Sequence, residues 1–261
     1  MTDLSGRSAI VCGSTQGIGH ACAVELARSG ASVTLVARDA DALNMVAEEL
    51  PTDHGQVHHA VPADFTLPTE VQSAVSAHIA STGPAEILVN NTGGPPGGPI
   101  LDATYDDFMR ALAMHVGANQ LLAQTVVPGM KSSGYGRIIN IISTSVLTPI
   151  RGLGVSNTTR AAVANWARSL ADELGPDGIT VNNVLPGFTS TARLGSLIDA
   201  AAAKRGVPRD EVVSDWEATI PLRRFATPAE IAAVVGFLAS PDASYVSGVN
   251  LPVDGGRTSA Q

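Results

Sequence analysis

Short runs of β-branched and aliphatic residues alternate with alanine-rich segments of helical period along almost the whole chain. This rhythm constrains the fold more than any other feature. Apolar runs at 9–12, 32–37 and 56–61 are each followed by a helical segment, at 18–29, 40–50 and 70–79. The pattern continues through 87–90, a long helical stretch 105–131, then 138–143, 161–174 and 180–184, and ends in a helix at 229–239 and a strand at 248–253. Repeated strand–crossover–strand connections lay strands parallel and cover both faces of the sheet with helices. One α/β domain over residues 1–261 is expected, a doubly wound sheet of seven parallel strands. Between Phe188 and Arg224 the rhythm breaks, because 194–205 and 208–219 read as helices with no strand between them. An excursion of that size, about 188–224, is expected to act as a helical lid over the carboxyl edge of the sheet.

The composition permits such a core, with 44% hydrophobic and 15% charged residues among 261. Sixteen Lys and Arg stand against twenty-four Asp and Glu, a formal charge of −8. That balance offers no positive field for a polyanionic backbone, so nucleic acid is not an expected partner. Only Lys131 and Lys204 supply lysine, which restricts any lysine-based chemistry. Cys12 and Cys22, in a strand and the helix after it, are expected to be free buried thiols. No basic, then apolar, then small-residue leader opens the chain, and no apolar run reaches the ~18 to 20 residues of a membrane span. A cytoplasmic protein without membrane contact is the expectation.

Gly13-Ser14-Thr15-Gln16-Gly17-Ile18-Gly19 follows the first strand and opens the first helix. Glycines there allow close backbone approach to a pyrophosphate, and the free N–H groups and positive dipole of the helix end favour its charge. The second strand ends at Ala37 with no acidic residue to hold a ribose 2′-hydroxyl; Arg38 comes next. A guanidinium at that place suits a 2′-phosphate and favours NADP(H) over NAD(H), the alternative being an arginine on a solvated turn. Asp64, just past the third strand, stands where a carboxylate could accept from the adenine amino group or cap the next helix.

These residues resemble the short-chain dehydrogenase/reductase family, in particular its 3-oxoacyl-acyl-carrier-protein reductase-like branch. The resemblance also rests on Asn90-Asn91-Thr92-Gly93, on Val181-Asn182-Asn183-Val184-Leu185-Pro186-Gly187, and on the closing segments Arg224-Phe225-Ala226-Thr227-Pro228 and Val253-Asp254-Gly255-Gly256. It implies strand order 3-2-1-4-5-6-7, a homotetramer or homodimer, and hydride transfer between a nicotinamide and a small carbonyl or alcohol. It also implies cofactor contacts at Asn91, Gly93, Pro186, Gly187 and Thr191. In the family a serine orients the substrate oxygen, a tyrosine moves the proton, a lysine lowers the tyrosine's pKa and binds ribose, and an asparagine holds a water relay.

The catalytic positions depart from that pattern. Ser143, at the end of the fifth-strand run, matches the family's serine, but where Tyr-x-x-x-Lys is expected the chain reads Ser156-Asn157-Thr158-Thr159-Arg160. His115 falls at the family's asparagine. An aliphatic hydroxyl is a far weaker acid than a phenol, so Ser156 alone is a poor substitute. Arg160 can bind ribose or a carboxylate but, with a pKa above 12, cannot carry a proton. His115 is expected to titrate near neutrality, either feeding a proton through water to Ser156 or simply bonding to the backbone.

Gly93-Gly94-Pro95-Pro96-Gly97-Gly98-Pro99 would lie at the sheet's carboxyl edge, as a substrate wall or a structural turn. Arg151 and Arg193 offer guanidiniums for an acidic substrate or for surface ion pairs. Three functions remain open: an NADP(H)-dependent oxidoreductase with an unusual proton route, a silent cofactor-binding subunit or sensor, and non-redox lyase or isomerase chemistry on the same scaffold.

Overall fold

Seven apolar runs pair side by side in parallel, as their burial on both faces requires. The computed structural model describes residues 3–259. Its strands are β1 (Ser8–Cys12), β2 (Ser32–Ala37), β3 (His59–Pro62), β4 (Ile87–Asn90), β5 (Gly136–Ile141), β6 (Ile179–Pro186) and β7 (Asn250–Val253), in the order β3-β2-β1-β4-β5-β6-β7. The helices are α1 (Gly17–Arg28), α2 (Ala40–Glu49), α3 (Pro68–Thr82), α4 (Tyr105–Leu112), α5 (Ala118–Ser133), α6 (Gly154–Leu174), α7 (Ala192–Arg205), α8 (Arg209–Ala218) and α9 (Pro228–Ala239).

The two-residue period of β1 divides the core. Ala9 and Val11 pack with Leu26, Val235 and Leu238 from α1 and α9, whereas Ile10 and Cys12 pack with Val75, Leu122 and Met130 from α3 and α5. A fully buried leucine such as Leu26 contributes about 2 kcal/mol relative to an exposed one. Both cysteines are free thiols in these cores, and burial pushes each up to about 12, so neither is a nucleophile.

Strand order reverses between β1 and β4, and a crevice opens there at the carboxyl ends of the strands. Below it runs a buried amide ladder across four neighbouring strands. Asn90 donates to Asn140 (2.8 Å), Asn140 to Asn183 (2.9 Å), and Asn183 to Asn250 (2.8 Å), each through Nδ2 to Oδ1. The residues are direct register partners, so the ladder fixes the strand ends on which the site is built.

Several boundaries differ from expectation, and three bear on the site. The predicted helix over 105–131 is interrupted by a π turn at Ala113–Gly117, in which Ala118 N–H bonds to the Ala113 carbonyl. α6 begins at Gly154 rather than Ala161, which puts Ser156 and Arg160 on its first two turns. β3 starts only at His59, because side chains hold the residues before it: the His58 ring accepts from Val33 N–H at 3.1 Å, and Ser32 Oγ accepts from Val57 N–H.

The excursion after β6 carries α7 and α8, joined by a small core of Leu194, Ile198 and Val212 with Trp216 stacked on Phe188. A bridge between Thr189 and Ala226 closes its base. Among the described residues no helix is long and apolar enough to cross a membrane.

Candidate active site

The glycine turn is shaped by contacts that admit no side chain. Gly13 and Gly17 have φ of +60° and +58°, and a β-carbon on Gly13 would lie 2.5 Å from the Asn91 carbonyl oxygen. On Gly19 it would lie 2.1 Å from the Gly13 oxygen. Asn91 clamps the turn, its Nδ2 donating to the carbonyls of Cys12 (3.1 Å) and Gly13 (3.2 Å). Asn91 therefore acts on the turn itself, across the β1–β4 crevice.

At the amino end of α1, Gln16 provides no side-chain cap and the first turn holds no acidic residue. α2, α4, α7 and α9 are capped by Asp39, Thr104, Thr191 and Thr227, whereas α3, α6 and α8 are uncapped like α1; what distinguishes α1 is the glycine turn before it. Ser14 is fully buried in the turn, and its Oγ has no partner. Uncapped N–H groups, a positive dipole end and an unsatisfied buried hydroxyl fit a dinucleotide's phosphates. Thr15, Gln16 and Ile18 complete the loop, with Ile18 also packed on the core.

Thr191 begins α7, accepting from Leu194 N–H at 3.3 Å, and its methyl group stands 3.3 Å from the β-carbon position of Gly17. Gly187 has a packing reason of its own, since a β-carbon there would lie 2.7 Å from Asp254 Cβ. Pro186 is buried at the end of β6, and Gly93 is exposed beyond β4. Arg38 is exposed past β2, near enough for its charge to help hold Asp64 below the usual carboxylate range. The larger cause is the Thr66 N–H that Asp64 Oδ1 accepts at 2.9 Å. Asp64 thus closes a local turn ahead of α3.

On the other side of the crevice, Ser143 Oγ accepts from Ser145 N–H at 3.1 Å. One lone pair is used, and its O–H remains available for a ligand oxygen. Ser156 and Arg160, four residues apart, share a face of α6. Ser156 Oγ is half-buried and makes no hydrogen bond among the described residues, while Arg160 is buried and donates to the carbonyls of Ile141 (2.9 Å) and Thr92 (3.4 Å). The Ile141 bond fastens α6 to the end of β5, two residues before Ser143. Burial, and secondarily the charge of Arg193, bring Arg160 down to about 10, so it stays a cation at neutral pH.

His115 lies in the π turn, 2% exposed, with Nδ1 2.8 Å from Thr92 Oγ1 and Nε2 without a partner. Here the expectation of a group titrating near neutrality is corrected. Burial first and the Arg160 charge second hold His115 down to about 3, which makes it a neutral imidazole at physiological pH. Thr92 is held at two points, its hydroxyl by His115 and its backbone carbonyl by Arg160, a convergence that the spacing of these residues did not suggest.

Residues 13–258 match the family model described as enoyl-(acyl carrier protein) reductase. The chain belongs to the short-chain dehydrogenase/reductase family. Relatives in this family include an uncharacterised oxidoreductase of Mycobacterium tuberculosis, 34% identical, with 99% of this chain and 94% of that protein aligned. The 7α-hydroxysteroid dehydrogenase of Escherichia coli is 35% identical over 97% of this chain and 94% of its own. Among solved structures, L-sorbose reductase from Gluconobacter frateurii, complexed with NADPH and L-sorbose, superposes with a TM-score of 0.92 at 32% identity, covering 98% of each chain. The short-chain dehydrogenase/reductase fold thus accounts for the crevice and for both of its walls.

Proposed function

We propose that this protein is an NADP(H)-dependent oxidoreductase acting on the carbonyl or alcohol carbon of a small molecule, with an atypical tetrad of His115, Ser143, Ser156 and Arg160. The observation that carries the reading is the uncapped, glycine-lined start of α1 with the unsatisfied Ser14 hydroxyl beneath it. A bound nicotinamide supplies hydride exchange. The loop Gly13–Gly19, with Gly93, Pro186, Gly187 and Thr191, would hold the dinucleotide, with Arg38 binding the 2′-phosphate and Asp64 the adenine. The complex of the sorbose reductase with NADPH supports this choice of cofactor.

Within the chain, Ser143 donates its free O–H to the substrate oxygen. Arg160 supplies fixed positive charge beside the ribose and the developing oxyanion. Ser156 stands where the family's phenol would be, and neutral His115 can pass a proton on but does not rest as an acid. The proton would then come from solvent water at the half-buried Ser156 hydroxyl. The helical pair α7–α8 acts as a lid over this edge. Exposed apolar side chains, Phe237 and Tyr245 at one side and Leu101 and Tyr105 at another, support assembly as a homotetramer or homodimer.

The test is titration with NADPH and NADH, followed by a carbonyl panel that includes 3-oxoacyl thioesters and α-dicarbonyls, read as loss of the reduced nicotinamide band. Ser156→Tyr combined with Arg160→Lys is expected to raise reduction by on the order of 10²-fold, the scale of general acid catalysis. Failure to retain any pyridine nucleotide overturns the proposal. Tight binding with no oxidation across the panel favours the silent cofactor-binding reading instead, for which the missing phenol and the neutral His115 are the motive.

A further inference from the structure

A second cation faces the same gap as Arg160. A β-carbon built on Gly94 would lie 3.9 Å from Arg160 Nη2 and 4.0 Å from Arg193 Nη2, so both guanidiniums turn toward the space this glycine borders. They arrive from different elements, Arg160 from the second turn of α6 and Arg193 from the first turn of α7.

Among the described residues neither is paired with an acid. Arg160 donates only to the Ile141 and Thr92 carbonyls, Arg193 only to the Pro95 carbonyl at 2.9 Å, and among the described residues no carboxylate lies within ion-pair distance of either. Several other arginines do pair with acids, Arg7 with Glu86, Arg205 with Glu211 and Asp215, Arg209 with Asp199, and Arg224 with Glu230; what sets Arg160 and Arg193 apart is that two of them approach one glycine. Arg137 is also buried without an acid, but three backbone carbonyls and the Tyr135 ring surround it alone. Two converging cations without a counterion are costly in a partly dehydrated cleft unless an anion joins them.

Each guanidinium has five N–H donors, and each has spent two or fewer. Charged N–H···O contacts are ~2.8 Å long and a carboxylate has two oxygens, so a single carboxylate beside Gly94 can accept from one nitrogen of each guanidinium. The gap lies near Ser143, because Arg160 is bonded to the carbonyl two residues before it.

From this convergence we infer that the substrate is a short oxo acid, its carboxylate held between Arg160 and Arg193 at Gly94 and its carbonyl directed to Ser143. Anion capture depends only on the geometry of the gap. The reduction of the neighbouring carbonyl rests on the function proposed above.

The NADPH-loaded protein is titrated by calorimetry with 2-oxobutanoate and acetoacetate, each against its methyl ester. Each acid is expected to bind at least about tenfold more tightly than its ester, a preference that weakens with salt. Arg193 is exposed at the root of α7, so Arg193→Ala keeps the fold, and it is expected to bring the acid-to-ester ratio close to one, with Arg193→Lys restoring part of it. Gly94→Asp, at a glycine of ordinary φ, places a carboxylate in the gap and is expected to abolish the preference as well.

Acids that bind no better than esters overturn the inference, as does a ratio unchanged by Arg193→Ala. A tenfold loss of NADPH affinity in Arg193→Ala with the ratio intact also overturns it, because Arg193 then serves the cofactor's diphosphate. Acid binding without NADPH oxidation leaves the anion site standing and removes the hydride-transfer reading. Turnover of esters with no preference for acids does the reverse.

Discussion

The two walls of the crevice are made of different materials. Around Gly13–Gly19 the working groups are backbone N–H and C=O, and close packing fixes their positions: Asn91 against the turn, Gly19 against Gly13, Thr191 against Gly17. Around Ser143, Ser156 and Arg160 the working groups are side chains: Ser143 accepts one bond from Ser145, Arg160 donates two, to the Ile141 and Thr92 carbonyls, and Ser156 Oγ makes none among the described residues. A backbone cradle cannot change function by a point substitution without losing its shape. A wall of side chains can exchange one functional group for another while the fold remains, so the two walls are expected to respond differently to substitution.

The most severe way to break the first wall is Gly19→Ala. The new methyl would sit 2.1 Å from the Gly13 carbonyl oxygen, a backbone atom with nowhere to move. Fluorescence titration is expected to show NADPH affinity falling at least about a hundredfold, more than 2.7 kcal/mol of binding. Retention of wild-type affinity would mean that the turn is not the phosphate cradle.

The second wall is probed through His115. Its folded pKa is depressed to about 3, whereas the unfolded chain's histidine titrates near 6.5. Between these values the unfolded state binds the extra proton, so stability is lost as pH falls from about 6.5 toward about 3 and is unaffected above that window. His115→Asn removes the titrating group while keeping a side chain able to bond Thr92 Oγ1. Urea denaturation is expected to show wild type losing about 2 kcal/mol more than the variant between pH 7 and pH 5. Parallel pH curves would show that the imidazole is not held neutral, and His115 would return as a candidate resting acid.

Legibility in the sequence followed the same division. The turn could be read because positive φ and absent side chains demand glycine at fixed places after an apolar run, and the parallel seven-stranded order emerged from the alternation together with the family likeness. The amide ladder was not legible, because Asn140 gives no local sign of lying between Asn90 and Asn183, residues 50 and 43 positions away. The π turn that buries His115 leaves no mark in hydrophobic period, so the imidazole's neutrality was hidden too. At Gly187 the sequence also carries a packing reason it does not announce, the approach of Asp254. Arg193 was visible as a candidate anion binder, but its convergence with Arg160 depends on how α7 returns over the crevice.

The smallest effect is expected at the edge where the two kinds of wall meet solvent. Arg38 is exposed beyond β2, and its charge is shared with Asp64, whose own carboxylate is held mainly by Thr66. A solvated guanidinium near a neighbouring acid contributes modestly, so its value lies in selectivity. Arg38→Asp is expected to weaken NADPH binding about tenfold while changing NADH binding little, because only the former carries the 2′-phosphate that the substituted carboxylate would repel. Equal losses for both nucleotides would make Arg38 a structural residue of the Ala37–Asp64 edge. A gain for NADH alone would show that the chain's cofactor preference rests on this one exposed charge, with the buried turn indifferent to which nucleotide it holds.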